Sequence, residues 1–152
     1  MVHIGSRSGF EGEPGVSLYS ASKFAVAGIS EALSAEMAPF GIQSMVVEPG
    51  VFRTDFLDAS SLSVAAHRIT DYDDTPAHVT LDWIDQANHA QLGDPVKGAA
   101  LIVEVASTEK LPTHLYLGRD TIERLEVKYQ QVQDDLAPWR EKSAATAHHD
   151  AA

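Results

Sequence analysis

Hydrophobic and polar positions follow two kinds of pattern along the 152-residue chain. Short apolar runs at residues 2–5, 42–48 and 114–118 predict three buried strands. Between the runs, apolar positions recur every three or four residues at 16–38 and at 94–106, which is the spacing of helices that are apolar on one side. Because each strand is followed by a helix and then by another strand, we predict an α/β fold with three parallel strands and two crossover helices.

The first predicted helix, 16–38, carries many small residues on its apolar side. Small side chains let a helix backbone pack closely on a sheet or on another helix. Pro39 and Gly41 are typical stop signals after this helix, and Asp94 and Pro95 are typical N-cap and first-turn residues for the second. The apolar positions of the first helix are Ala21, Phe24, Ala25, Gly28, Ile29, Ala32, Leu33 and Met37.

The remaining segments are less regular. Residues 56–93 are acidic and irregular, apart from a short helix that we predict from Thr80, as its N-cap, to about residue 87. A charged helix is predicted from Asp120 to about Arg140, and its apolar stripe implies docking on the body of the protein or on a partner. The stripe consists of Ile122, Leu125, Tyr129, Val132 and Leu136. Residues 143–152, which are rich in alanine and histidine, are predicted to be a frayed, disordered tail.

Composition narrows the classes of function. A formal net charge of −11 disfavours binding to nucleic acid or to an anionic membrane. The absence of cysteine excludes disulfides and thiolate metal sites. The seven histidines are dispersed, and the pair His148-His149 in the tail is more typical of a solvated end than of a metal site. No apolar run approaches the length of about 20 residues that a membrane span needs, and the first residues lack a signal-peptide pattern, so we expect a cytoplasmic protein.

Tyr19 and Lys23 are the strongest candidates for chemistry. They are four positions apart, so a helix places both side chains on one face, one turn apart. Ser6, thirteen positions before Tyr19, follows the first predicted strand. A nearby ammonium group favours phenolate and is expected to lower the pKa of Tyr19, and a hydroxyl can hold the oxygen that gains or loses the proton. The three residues predict a proton-transfer site.

These residues, with Ala21-Ser22-Lys23-Phe24-Ala25 and the later Pro49-Gly50-x-x-x-Thr54, resemble the active-site pattern of the short-chain dehydrogenase/reductase family. The resemblance implies a Rossmann-type, doubly wound parallel sheet and an NAD(P)-dependent oxidoreductase. The enzyme would transfer hydride between nicotinamide and a secondary alcohol or ketone. Tyr19 would be the acid/base, Lys23 would also hold the nicotinamide ribose, and Ser6 would bind the substrate oxygen. Epimerisation and dehydration, which related sites also catalyse, stay open.

The resemblance also assigns binding residues. The cofactor, NAD or NADP, would lie against Tyr19, Lys23, Pro49, Gly50, Val51 and Thr54, with the carboxamide held by backbone groups near Val51 and by the Thr54 hydroxyl. The substrate would contact Ser6, Ser8, Phe10, Phe52 and Phe56. Residues 56–93 would be the substrate lid, in which Phe56, Leu57 and Trp83 either line an apolar pocket or serve packing.

The sequence matches only the second half of the family's pattern. No Gly-x-x-x-Gly-x-Gly occurs in it, so the turn that holds the cofactor pyrophosphate is not found. We therefore expect residues 1–142 to be the C-terminal part of a Rossmann-type catalytic domain, either as a fragment, as a truncated gene product or as half of a split protein, and doubtful in activity alone. The alternative is a catalytically dead remnant that acts as an interaction module. In either case we expect a homo-oligomer that associates through helix 16–38.

Overall fold

A three-stranded parallel sheet forms the centre of the protein, as the sequence predicts. In this computed structural model, which describes residues 1–63, 65 and 67–148, the strands lie in the order β1-β2-β3. Val2 lies opposite Met45, and Val46 lies opposite His114. The strands are β1 (Val2–Ile4), β2 (Met45–Pro49) and β3 (His114–Leu117).

Both predicted crossover helices are present, and three further helices complete the described part of the chain. Gly41 has a φ of 70° just after the first helix and its short 3₁₀ extension, a left-handed conformation that suits glycine at a helix end. None of the described helices is long and apolar enough to cross a membrane. The helices are α1 (Ser17–Met37), α2 (Pro76–Ala87), α3 (Pro95–Ala106), α4 (Arg119–Leu136) and α5 (Arg140–Ala144).

Helix α2 begins earlier than the sequence predicts. It starts at Pro76 with Thr75 in the N-cap position, so the prediction of Thr80 as the N-cap is wrong. Proline at the first helical position has no N–H to satisfy and its φ already suits a helix, which favours this start. Thr80 lies inside the helix, where its hydroxyl donates to the carbonyl oxygen of Pro76 at 3.0 Å.

The charged C-terminal helix is shorter than predicted and is interrupted. Helix α4 ends at Leu136, because Pro138 lacks the N–H that a continuous helix would use. Helix α5 then includes residues 143 and 144, the first two of the predicted disordered tail, and residues 149–152 lie outside the described part. The apolar side chains Ile122, Tyr129 and Val132 of α4 are exposed, so the described residues do not cover its stripe.

Helix α1 packs on the sheet through a different face from its apolar stripe. The buried residues of α1 are Ser20, Ala27 and Ser30, and the Ser30 hydroxyl lies 3.3 Å from that of Ser44 just before β2. Phe24 and Ile29 on the stripe are 45% and 58% exposed. A close approach of helix to sheet therefore depends on small, partly polar residues, and the larger apolar residues remain on the surface.

One small hydrophobic cluster lies beside β2 and β3. Met45, Val47 and Leu117 are its fully enclosed members. Phe52 packs against them and also against Gly98, where an added β-carbon would lie 2.8 Å from the Phe52 ring. Partly buried side chains of α3 and of the segment around β3 complete the cluster, namely Ile102, Val105, Leu111 and Leu115.

An ionisable triad links α1 to β2 and β3. Glu48 is fully buried, and its Oε2 lies 3.1 Å from His114 Nδ1. His114 Nε2 lies 2.9 Å from Glu31 Oε1. Burial raises the pKa of Glu48, and the hydrogen bond and the charge of His114 oppose this effect without cancelling it. The fold therefore favours the protonated form of Glu48 relative to the unfolded chain.

Glu48→Gln is expected to flatten the pH dependence of stability. The folded state holds its proton to a higher pH than the unfolded state does, so stability falls as pH rises above the ordinary glutamate value of 4.5. A glutamine side chain has nearly the same size as glutamate, but it does not titrate in this pH range. Melting temperatures measured between about pH 4 and 7 should fall less with pH in the variant.

Glu31→Gln is the matched control, because Glu31 faces the same imidazole from a half-exposed position. It should leave most of the wild-type dependence in place. If the melting temperature fell equally with pH in the wild type and in Glu48→Gln, the pH dependence would not come from Glu48.

Candidate active site

The candidate residues gather at the carboxyl edge of the sheet. Ser6 follows β1, Gly50 follows β2, and Gly118 follows β3. In parallel α/β sheets this edge is where ligands bind. The first turns of α1 pass the same edge, and they carry Tyr19.

Ser6 is held in a buried and well-defined position. It precedes a 3₁₀ turn, Arg7–Gly9, and its Oγ accepts a hydrogen bond from the backbone N–H of Ser8 at 3.2 Å. The Ser8 hydroxyl donates to Glu13 Oε1 at 2.9 Å. The hydroxyl of Ser6 is therefore fixed by the turn that follows it, and the hydroxyl of Ser8 is already engaged within the protein.

Tyr19 and Lys23 lie one turn apart on α1, as their spacing predicts. The Lys23 Nζ is 5.6 Å from the centre of the Tyr19 ring and donates to the carbonyl oxygen of Ile4 at 3.2 Å. The ring of Phe56 lies 5.9 Å from the Tyr19 ring. The ammonium group thus lies between the phenol and the end of β1, where a second polar partner can reach it.

The electrostatics of Tyr19 differ from the sequence-based expectation. Burial, together with the negative charge of Glu13, raises the pKa of Tyr19, and a hydrogen bond from Ser6 and the charge of Arg7 lower it by less. Lys23 is not among the groups that shift it. The prediction that Lys23 lowers the Tyr19 pKa is therefore wrong for this structure, because the ammonium group is directed to the Ile4 carbonyl.

An ion-pair network that the sequence analysis missed surrounds these residues. Arg7 donates from Nε to Glu13 Oε1 and from Nη1 to Asp120 Oδ2, both at 3.1 Å. Burial lowers the pKa of Arg7, but the bonds and charges of Glu13 and Asp120 more than compensate and raise it. Arg7 and Asp120 are 113 positions apart, so no local pattern relates them. The only sequence signal is a charged residue directly after Ser6.

The loop after β2 is fixed by backbone contacts. The N–H of Gly50 donates to the Leu117 carbonyl at 2.8 Å, and the N–H of Val51 donates to Asp120 Oδ2 at 3.0 Å. The Val51 carbonyl accepts from the N–H of Gly93 at 3.1 Å. An added β-carbon on Gly50 would lie 2.2 Å from the Asp120 carboxylate, so a side chain at this position would displace that carboxylate. Both backbone polar groups of Val51 are thus bonded within the protein.

The Thr54 side chain makes a hydrogen bond with the local backbone in this structure. Its Oγ1 accepts from the N–H of Phe56 at 3.3 Å and caps a 3₁₀ turn, Asp55–Leu57. The resemblance implies that this side chain binds the carboxamide of the nicotinamide. An exposed hydroxyl that accepts one hydrogen bond still has a donor to offer.

The predicted substrate residues do not form one cluster. Phe10 packs edge-on against Tyr116, with ring centres 5.7 Å apart, in a groove beside Glu48 and His114. Phe52 lies against the core. Of the aromatic candidates, Phe56 is the one whose ring packs on Tyr19. The predicted substrate contacts of Phe10 and Phe52 therefore have no geometric support.

Within residues 56–93, the structure separates the apolar residues for which the sequence left two roles open, lining of a pocket or packing. Trp83 lines a cavity of about 350 Å³ beside Val51, between the end of α2 and the loop after β2, and Phe56 and Leu57 are not in its lining. Gly15 lies close to α2. Its φ is 78°, and an added β-carbon would lie 2.5 Å from the Ala77 carbonyl oxygen. Helix α2 thus packs on the loop that leads into α1.

Comparison with known proteins agrees with the resemblance found in the sequence. Residues 1–64 match the sequence model of the family described as short chain dehydrogenase. The oxidoreductase calM of Penicillium decumbens is 33% identical over 151 residues, which cover 97% of this chain and 50% of that protein. A short-chain dehydrogenase from Streptomyces avermitilis superposes with a TM-score of 0.81 at 35% identity, over 97% of this chain and 52% of that one.

A parallel α/β sheet with helical crossovers, which carries Ser6, Tyr19 and Lys23 near its carboxyl edge, places the chain in the class of α/β proteins with a Rossmann-type fold. The chain belongs to the short-chain dehydrogenase/reductase family. It spans about half the length of the curated relatives that it matches. A family structure from Burkholderia phymatum in complex with NAD shares the fold, with a TM-score of 0.68 at 17% identity.

Proposed function

We propose that this chain carries the proton-transfer site of a nicotinamide-dependent oxidoreductase that acts on secondary alcohols or ketones. The observation that supports this most directly is the placement of Tyr19 on α1 beside the buried Ser6, with Lys23 one turn away. Tyr19 exchanges a proton with the substrate oxygen, and Ser6 holds that oxygen. Residues 1–142 act as one catalytic domain, with 56–93 as the substrate lid.

The residues at the sheet edge fit the nicotinamide end of the cofactor. Lys23 lies between the phenol of Tyr19 and the end of β1, and its ammonium has three donors, of which one reaches Ile4. It therefore has donors left for the hydroxyls of a ribose. Gly50 keeps the loop free of side-chain bulk, and Thr54 has an exposed hydroxyl. When bound, NAD or NADP supplies the hydride acceptor or donor, and the protein supplies placement and proton transfer.

To supply phenolate at neutral pH, Tyr19 must have a lower pKa in the complete site than in this structure. Burial raises its pKa in this structure, and a phenol with a raised pKa is a poor base at neutral pH. Release of Lys23 from the Ile4 carbonyl toward Tyr19 brings a positive charge closer and opposes that effect. We infer that the ammonium changes partners when nicotinamide binds.

The decisive experiment compares the chain alone with a chimera. The part of the Streptomyces avermitilis dehydrogenase that this chain does not cover is fused in front of residues 1–152, because the resemblance implies that the pyrophosphate-binding turn precedes the catalytic motif. Formation of reduced nicotinamide from a panel of secondary alcohols is followed by absorbance. Activity of the chimera that depends on Tyr19 supports the function, and a folded, NAD-binding chimera without any activity overturns it.

The chain alone is expected to show no dehydrogenase activity. Much of the affinity for a dinucleotide comes from its pyrophosphate at a glycine-rich turn and helix N-terminus, and the sequence lacks the family's Gly-x-x-x-Gly-x-Gly. Steady formation of reduced NAD or NADP by the purified 152-residue chain would contradict this prediction.

A second candidate function, an interaction module, is favoured by the surface of α1. Leu18 is 86% exposed, and Phe24 and Ile29 are largely exposed as well. An added β-carbon on Gly28 would contact nothing within 4 Å, so the helix offers a flat, open approach. Among the described strands, β1 pairs with β2 alone and leaves one backbone edge uncovered. We propose that α1 is the surface through which copies of the chain associate.

Self-association through α1 predicts that Ile29→Glu shifts the protein toward a monomer. A charge placed in an apolar contact loses its hydration, and the contact weakens. Light scattering at micromolar concentration should give a mass above 16.4 kDa for the wild type and close to it for the variant. Val103→Glu on α3, which is also exposed, is the control and should not change the mass. A wild-type monomer would refute the proposal.

A further inference from the structure

A cavity of about 350 Å³ lies between the end of α2 and the loop after β2. This volume falls at the lower end of the range for small-molecule sites, which is about 300–1,000 Å³. Val51, Trp83 and Ala87 give the cavity apolar walls, and Gln86 and Gln91 contribute polar groups. None of the residues with a role in the proposed proton transfer lines this space, which we call the α2 cavity.

The side chain of Gln91 lacks the partners that a buried amide normally has. Gln91 lines the α2 cavity, and only 4% of its surface is exposed. Its side-chain oxygen Oε1 and nitrogen Nε2 are both buried, and neither has a hydrogen-bond partner among the described residues. Most buried polar side-chain atoms in folded proteins have a partner, because a buried polar group without one destabilises the fold. Two unsatisfied groups on one amide therefore point to a ligand.

The backbone around Gln91 is fixed by hydrogen bonds. The Gln91 carbonyl oxygen accepts from Arg53 Nε at 3.1 Å. The Gly93 carbonyl oxygen accepts from the N–H of Arg53 at 2.8 Å, and the N–H of Gly93 donates to the Val51 carbonyl at 3.1 Å. These bonds hold the segment after α2 against the loop after β2, so Gln91 keeps its place in the cavity wall without a ligand. A site that is already formed loses less conformational freedom on binding.

The chemistry of the lining defines which ligand fits. A primary amide offers N–H donors and a carbonyl acceptor side by side in one plane. A ligand satisfies both when it carries an acceptor and a donor at adjacent positions, as adenine does when its N7 and amino group pair with glutamine. Trp83 supplies an aromatic surface on which a flat ring can pack. The described residues that line the cavity are all uncharged, and the net charge of −11 disfavours phosphate groups, so the ligand is neutral.

We propose that the α2 cavity binds a neutral, planar heterocycle whose adjacent donor and acceptor pair with the Gln91 amide and whose ring packs on Trp83. Water inside the cavity would satisfy the amide but would leave the apolar walls hydrated. A flat ring covers those walls and pairs with the amide at the same time. Since the walls come from both α2 and the loop after β2, the ligand also holds these two segments together.

The test is titration of the full chain with free adenine, followed by nuclear magnetic resonance of the side-chain amide groups. The Gln91 NH₂ signal, identified by its loss in Gln91→Met, should shift and saturate, and adenine should raise the melting temperature. Purine has the same rings but no amino group, so it can accept from Gln91 but cannot donate to it. It should therefore bind at least about fivefold more weakly than adenine.

Two variants show whether Gln91 makes this distinction. Gln91→Met keeps a side chain of similar length without the amide, so the preference for adenine over purine should disappear, and the variant should melt no lower than the wild type. Gln86→Met makes the same change at an exposed position of the same cavity and should keep the preference. Absence of saturable adenine binding would overturn the proposal, as would an unchanged preference in Gln91→Met. Neither result involves nicotinamide or turnover, so the proposed oxidoreductase function is tested separately.

Discussion

Tyr19→Phe in the chimera is expected to lower kcat by about a thousandfold, within the range that general acid–base catalysis contributes. The phenolic oxygen is the proton carrier in the proposed reaction, and phenylalanine keeps the ring that packs on Phe56. Binding of reduced nicotinamide, followed by its fluorescence, should change little. The loss should appear in kcat rather than in the dissociation constant of the cofactor.

Lys23→Ala is the contrasting variant. Its ammonium is proposed to serve both Tyr19 and the ribose, so this change should reduce kcat and weaken cofactor binding together. Lys97→Ala, on the exposed start of α3, is the control for loss of a positive charge. If Tyr19→Phe kept most of the activity of the chimera, Tyr19 would not be the acid or base.

Met45→Ala is expected to destabilise the chain by about 2–5 kcal/mol, which is the usual cost of truncating a large buried side chain to alanine. Met45 is completely buried and belongs to the core cluster with Val47 and Leu117. The core is small, so neighbouring residues offer little to refill the cavity. The total free energy of unfolding of a small domain is only about 5–15 kcal/mol, so the variant should lose most of its cooperative thermal transition.

Leu92→Ala removes a side chain of similar size from a position that is 91% exposed. It should change the free energy of unfolding by no more than about 0.5 kcal/mol, as surface substitutions usually do. Circular dichroism melts of both variants provide the measurement. Similar melting temperatures for the two variants would show that the core is not centred on β2.

The sheet and the first helix were predictable because their signals are local. The apolar run at residues 42–48 and the three-to-four spacing at 16–38 each depend on neighbouring residues. The one-turn separation of Tyr19 and Lys23 follows from helix geometry alone. Parallel pairing followed from the helices between the strands, because a parallel connection needs such a crossover.

Other features depend on contacts between distant residues and left no local signal. The bond from Val51 to Asp120 and the pair of Arg7 with Asp120 join the start of α4 to two loops. The hydrogen-bond partner of Lys23 is a backbone carbonyl. Every residue type has such a carbonyl, so the sequence does not show which one accepts the bond. The direction of the Tyr19 pKa shift depends on burial, which the order of residues along α1 does not determine.

Helix α1 shows that a sequence pattern can predict an apolar stripe correctly without predicting what the stripe contacts. The apolar stripe exists, but the buried residues of α1 are Ser20, Ala27 and Ser30, which lie on another face. Periodicity identifies the two sides of a helix and does not identify what each side contacts. The same holds for the stripe on α4, which the described residues leave exposed.

The central position of β2 has a consequence for how the chain folds. Its two neighbours lie before and after it in the sequence, β1 at Val2–Ile4 and β3 at His114–Leu117. Glu48 of β2 and His114 of β3 are in contact and lie 66 positions apart. The two strands can therefore pair only after a long loop has closed, and the entropy cost of closure comes before any favourable contact between them. During synthesis, β2 has only β1 as a neighbour until β3 has left the ribosome. Folding of the sheet is therefore completed late, and the nascent chain exposes a strand edge that favours aggregation.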